Sequence, residues 1–184
     1  MGASATLMAE DSGGHSFDEV WSTVWLKLAA AFPDKPIPLA CHSATLEYRG
    51  RFDVFDALNL DDAERLYGFL QTQGLIAGEL IRPQPSATAE PTDLAATEFT
   101  RVDEAGLLAY QVELGDVVKK GDVLADLIAL DGEGAFSQRT PVLAGTDGLV
   151  LSRKIQKYVW PGCTIAKVVG SEKLASRTGK LLVD

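Results

Sequence analysis

Residues 106–125 read GLLAYQVELGDVVKKGDVLA, and residues 148–166 repeat that text as GLVLSRKIQKYVWPGCTIA with one deletion. Each copy reads as short strand, turn, short strand. Gly121 and Gly162 stand where tight connections need a positive φ, and the β-branched residues between the turns suit pleated strands. A unit written twice in this way predicts two small sheets folded against each other.

Working back toward the N-terminus, residues 82–92 hold Pro83, Pro85 and Pro91 among Ser, Ala, Thr and Glu, a composition that favours extended backbone and buries little. This stretch divides the chain into an α/β part at 1–82, a linker at 83–95 and a β part at 96–184. The alternative is a strap lying over one continuous fold.

The first part opens with a loose Gly/Ser/Ala-rich segment, and Ser16-Phe17-Asp18-Glu19 then has the form of a capping box. Val20, Trp21, Val24, Trp25, Leu28 and Ala29 recur at helical spacing, which predicts a helix with one apolar, core-facing side that ends at Pro33. Residues 38–48 are short on helix formers, rich in apolar residues and stopped by Gly50, so they predict a buried strand. A second helix is expected from a cap at Asn59, with Ala63, Leu66, Tyr67 and Leu70 on one face and Gly74 just past its end.

Composition narrows the function. No apolar run approaches the ~18 residues that span a bilayer, and no basic segment followed by an apolar stretch opens the chain, so membrane is not expected and the location reads as cytoplasmic. A formal charge of -9, with no basic cluster denser than Lys119-Lys120, argues against nucleic acid. Cys41 and Cys163 lie in different halves in no metal-like spacing and read as reduced, partly buried thiols. Gly2 with Thr6 fits a myristoylation pattern, a short and common one.

Two resemblances follow. Residues 112–124, Pro141 to Val150 and Trp160 to Val168 resemble a biotinyl/lipoyl-type barrel-sandwich hybrid. Such a carrier needs a lysine at the exposed hairpin between the halves. Here that hairpin falls near residues 130–134, which contain none, so the module reads as a structural or gating appendage.

Ala44-Thr45-Leu46-Glu47-Tyr48-Arg49-Gly50 is similar to the Thr-x-Glu strand motif of the succinylglutamate desuccinylase/aspartoacylase family. The Pro33 to Pro38 segment, the Asp62 to Gly74 helix and the closing Gly179-Lys180-Leu181-Leu182 follow in the family's order. The resemblance implies a partial zinc-carboxypeptidase-like α/β sheet with helices, followed by the all-β module. It also implies a zinc-dependent deacylase acting on an N-acyl amino acid or similar small amide, with Glu47 as general base and then general acid.

The family's zinc ligands come from a His-x-x-Glu and an Asp-x-His motif, and this sequence contains neither. His15 and His42 are its only histidines. On strand alternation His42 faces away from Glu47 and reads as a packed or hydrogen-bonded side chain, not a ligand. Arg49, Arg51 and Arg153 are the arginines that could meet a substrate carboxylate. The resemblance thus implies the C-terminal part of such an enzyme, inactive alone, which associates with itself or docks with the missing N-terminal part. The competing class is a non-catalytic binding or interaction module built on the lipoyl-like β domain.

Overall fold

The computed structural model describes residues 2–9, 11–14, 16–80 and 90–182. The chain forms two compact units, Met1–Ser4 with Ser16–Glu90, and Ala5–His15 with Pro91–Asp184. His15 and the proline-rich residues 81–89 lie outside the described residues.

The first unit contains two helices. α1 spans Phe17–Ala31 with Ser16 at its N-cap, as the sequence expects, although the Ser16 hydroxyl donates to the Asp18 carboxylate instead of accepting from a backbone N–H. The last turn closes with Phe32 N–H on Leu28 O at 3.0 Å, and Pro33, which has no N–H, cannot extend it. α2 spans Asp56–Thr72 and begins three residues before the expected Asn59 cap. Asn59 instead donates from its backbone N–H to Phe55 O at 3.0 Å, so it sits within the first turn. Gly74, at φ +72°, takes the left-handed conformation that stops the helix.

Two expectations fail in this unit. No residue of α1 is buried, and Trp21 is 63% exposed, so the apolar side of the helix faces no core within its unit. Residues 38–48 are irregular, not a strand. A strand is held by bonds to its neighbours, and among the described residues no other segment pairs with this one.

The second unit is built from the repeat. β1 (Leu7–Met8) pairs in parallel with β2 (Thr92–Asp93), followed by a 3-10 turn at Leu94–Ala96. The first repeat then supplies β3 (Thr97–Arg101), β4 (Gly106–Tyr110), β5 (Val117–Val118) and β6 (Val123–Ile128). The second supplies β7 (Arg139–Leu143), β8 (Gly148–Arg153), β9 (Tyr158–Val159) and β10 (Thr164–Val169).

Two four-stranded antiparallel sheets result, ordered β3-β10-β8-β5 and β7-β6-β4-β9. Exchanging each strand for its counterpart in the other repeat turns one order into the other. The short strands β5 and β9 each pair with the opposite repeat, so neither repeat closes a sheet by itself.

The core obeys the same exchange. Leu108 matches Val150, Val118 matches Val159, Leu124 matches Ile165 and Leu127 matches Val168, and all eight are buried in one cluster. Gly121 and Gly162 adopt φ of +94° and +85° at the matched turns. A smaller cluster gathers Leu94, Ala95 and Leu181 with Leu7 against them, which fixes both the early residues and the C-terminal tail to this unit. Cys163 is buried and free, and Cys41 is partly exposed and free.

Candidate functional site

Glu47 is exposed, in the irregular stretch that precedes α2. Its surroundings are set by short-range contacts. Thr45 Oγ1 donates to Asp18 Oδ2 at 3.0 Å, tying this stretch to the start of α1, and the Asp18 carboxyl is held below the usual carboxylate range chiefly by the Ser16 hydroxyl. Gly50 N–H donates to Asp53 Oδ2 at 2.8 Å while Asp53 N–H donates to Gly50 O at 2.9 Å, which closes a tight turn just after the glutamate.

Two of the three candidate arginines flank that turn. Arg49 forms an ion pair with Asp62 of α2, and the Arg51 guanidinium lies over the Phe52 ring with Cζ 5.1 Å from its centroid. His42 is exposed, and the alternation that would set it on the opposite face from Glu47 has no strand to act on.

Zinc needs three protein ligands and an open position. Among the described residues no three His, Cys, Asp or Glu side chains converge as a metal site, so the residues present do not fit the ion. His15 falls outside the described residues.

The third candidate, Arg153, lies in the β unit within a polar cluster whose other members, Tyr110, Lys154 and Lys157, the sequence does not single out. The Tyr110 hydroxyl donates to Ile165 O at 2.7 Å and accepts from Lys154 N–H at 3.0 Å. Lys157 Nζ stands 4.2 Å from the centre of the Tyr110 ring, and Arg153 Cζ stands 5.2 Å from it. Arg153 also donates to Val112 O and pairs with Glu113 Oε2 at 2.7 Å, so its guanidinium is occupied in holding the two repeats together. Burial pushes the Tyr110 phenol up to about 12, and burial together with Arg153 lowers the Lys157 ammonium. The only sequence signal is that the tyrosine closes a strand whose counterpart ends Leu151-Ser152-Arg153. A shallow depression of 180 Å³ beside it is lined by Ser152, Arg153, Lys154, Thr164 and Lys167 among others.

The junction of the repeats is the 129–138 hairpin between β6 and β7, and it carries no lysine. Phe136 holds its tip at φ +63°, 73% exposed, with its N–H on Ala129 O at 2.7 Å.

No protein-family model matches the chain, and no curated protein does. Solved structures do. A succinylglutamate desuccinylase/aspartoacylase family protein from Shewanella amazonensis superposes with a TM-score of 0.73 and 26% identity over 85% of this chain. The chain resembles the succinylglutamate desuccinylase/aspartoacylase family. A protein of the same description from Shewanella frigidimarina shares the fold, with TM-score 0.70, 21% identity and 85% of this chain covered. The ectoine utilization protein EutE from Ruegeria pomeroyi matches 65% of it at 26% identity and TM-score 0.53.

The chain spans 43%, 42% and 36% of those three proteins. The 85% coverage exceeds what the second unit alone can supply, so the likeness includes much of the first unit. Among the described residues no helix is long and apolar enough to cross a membrane.

Proposed function

We propose that this chain is the C-terminal part of a zinc-dependent deacylase, cytoplasmic in location, whose substrate is an N-acyl amino acid or similar small amide. The observation that carries the reading is the 26% identity to the Shewanella amazonensis family protein over 85% of the chain, which takes in the first unit as well as the β unit. The two four-stranded sheets and their interchange of short strands suit a barrel-sandwich hybrid of lipoyl type, with no attachment lysine at the junction hairpin.

In this reading Glu47 accepts a proton from the attacking water and returns one to the leaving amine, so one carboxylate serves as base and then as acid. Zinc, where bound, supplies Lewis acidity toward the water and the amide carbonyl. Its ligands come from polypeptide outside this chain, and the 184 residues alone are inactive. Arg49 and Arg51, either side of the 50–53 turn, are the candidates to meet the substrate carboxylate, Arg49 once it leaves Asp62.

The test is Glu47→Gln in the complete, metal-loaded deacylase. Removing the proton acceptor at constant shape should lower kcat by a factor of about 10² to 10⁴ with zinc content unchanged. Unaltered turnover would withdraw the role from Glu47. A second reading, a non-catalytic interaction module, is favoured by one observation: the large buried core belongs to the β unit, and Glu47 is exposed. Deacylase activity in the complete protein decides between them.

A further inference from the structure

Strand β10 shifts register twice along its length, against β3 between Thr164 and Ala166 and against β8 between Lys167 and Val168. Bulges of this kind re-aim side chains and recur beside functional sites. Here Thr164 and Lys167 of the bulged strand share one depression with Ser152, Arg153 and Lys154 at the end of β8.

The chain carries a formal charge of -9, yet Arg153, Lys154 and Lys167 line this depression and no carboxylate does. Cations gathered in this way repel one another. Lys157 shares the Tyr110 ring with Arg153, and burial followed by Arg153 lowers its ammonium.

The cations are also held in place. Arg153 pairs with Glu113 and donates to Val112 O, Lys154 Nζ stands 5.8 Å from the Trp160 ring centre, and Lys167 Nζ stands 4.4 Å from that of Phe99. The Tyr110 hydroxyl accepts from the Lys154 N–H and so fixes the backbone there. Groups ordered before a ligand arrives lose less freedom on binding it. Thr164 Oγ1 is an enclosed hydroxyl without a hydrogen-bond partner among the described residues, and a donor in that state gains from an arriving acceptor.

We propose that this depression binds a phosphate group, as the free ion or as the head of a phosphate monoester. Lys154, Lys167 and Arg153 supply the charge, with the Ser152 hydroxyl and, once its side chain turns outward, that of Thr164 as further donors. A phosphate monoester at neutral pH carries a charge of about −1.5 to −2 on three oxygens, which donors from two strands can reach from different sides. A carboxylate offers one charge on two coplanar oxygens and compensates less of the cationic field. The volume of 180 Å³ falls below the ~300–1,000 Å³ of pockets that enclose a drug-sized ligand, so a headgroup enters and the rest of a monoester stays in solvent. No residue of the first unit takes part, so this site and the Glu47 deacylase reading stand or fall separately.

The test titrates the isotope-labelled full chain with inorganic phosphate and with phenyl phosphate at neutral pH and constant ionic strength, following backbone amide shifts by NMR. Saturable shifts are expected at residues 152–154 and 164–167. Lys154→Gln and Lys167→Gln should each weaken binding about tenfold, the loss of one charge-assisted contact. Lys120→Gln, which removes the same charge from the exposed turn after β5, should leave it unchanged, and an unaltered Tm shows that each variant is folded. Tighter binding of phenyl phosphate assigns a monoester as the ligand, and equal or weaker binding assigns the free ion. Shifts that do not saturate, an equal response to succinate, or an equal loss in Lys120→Gln overturns the site. The succinate result would make it a carboxylate site, and the Lys120 result a diffuse cationic surface.

Discussion

Tyr110 in β4 donates its hydroxyl to the carbonyl oxygen of Ile165 in β10 at 2.7 Å, so a side chain of the first repeat is fastened to the last strand of the second. The same oxygen accepts the Lys154 N–H at 3.0 Å, so the phenol joins a bond that this N–H also makes to Ile165 O at 2.7 Å. Tyr110→Phe keeps the ring and removes both bonds. Lys154 N–H and Ile165 O keep the bond between them, so losing the phenol's own bonds should destabilise the β unit by about 0.5–1.5 kcal/mol. A lower denaturation midpoint at unchanged slope would show it.

The same phenol makes stability depend on alkaline pH. Burial raises its pKa from 10.0 to about 12, so the folded form keeps its proton more tightly than the unfolded chain. The contribution is whole below pH about 10 and is lost as pH rises toward 12, because the unfolded state ionises first. Tm should therefore fall more steeply between pH 10 and 12 in the wild type than in Tyr110→Phe, and parallel curves would contradict this origin.

Gly106 and Gly148 begin matched strands for a matched reason. A Cβ at Gly106 would stand 2.6 Å from the Ile128 carbonyl oxygen, and one at Gly148 would press still closer on Val169 O. Both glycines admit the end of the neighbouring strand, so Gly148→Ala must displace backbone and should cost about 1–3 kcal/mol. Gly14, with open space around its position and no positive φ, is the control, and Gly14→Ala should move stability by less than about 0.5 kcal/mol. Equal effects at the two positions would refute the steric argument.

These matched pairs explain why the β unit was legible in the sequence. The repeat carries its register with it, so aligning residues 106–125 with 148–166 already pairs Leu124 with Ile165 and Val118 with Val159, the residues that form the core. Strand exchange was not legible, because β5 and β9 are two residues long and their partners lie in the other repeat. α1 was found from its cap and stop, and α2 from its period, with an early start because Phe55 O receives the first helical bond. The expected strand at 38–48 is irregular for a physical reason: period and composition describe what a segment could bury, and pairing depends on neighbours that this stretch lacks among the described residues. Around Glu47, the sequence carried the order of motifs but not the contacts, such as Thr45 with Asp18 or Arg49 with Asp62.

The uneven burial of the two units predicts how the isolated chain behaves. Val150, Val159, Ile165 and Val168 are almost wholly inaccessible in the β unit, while Trp21 and Val24 of α1 are 63% and 52% exposed. A dye that reports exposed apolar surface should bind the isolated chain, and the sites it uses should lie on α1. Trp21→Ser combined with Val24→Ser should cut the dye signal severalfold and reduce association seen by light scattering, since both respond to contiguous apolar surface. The unfolding transition of the β unit should be unchanged, because neither residue belongs to its core. A clean monomer with low dye binding in the unaltered chain would show instead that the first unit is self-sufficient, and the uncovered apolar side of α1 would then need another explanation.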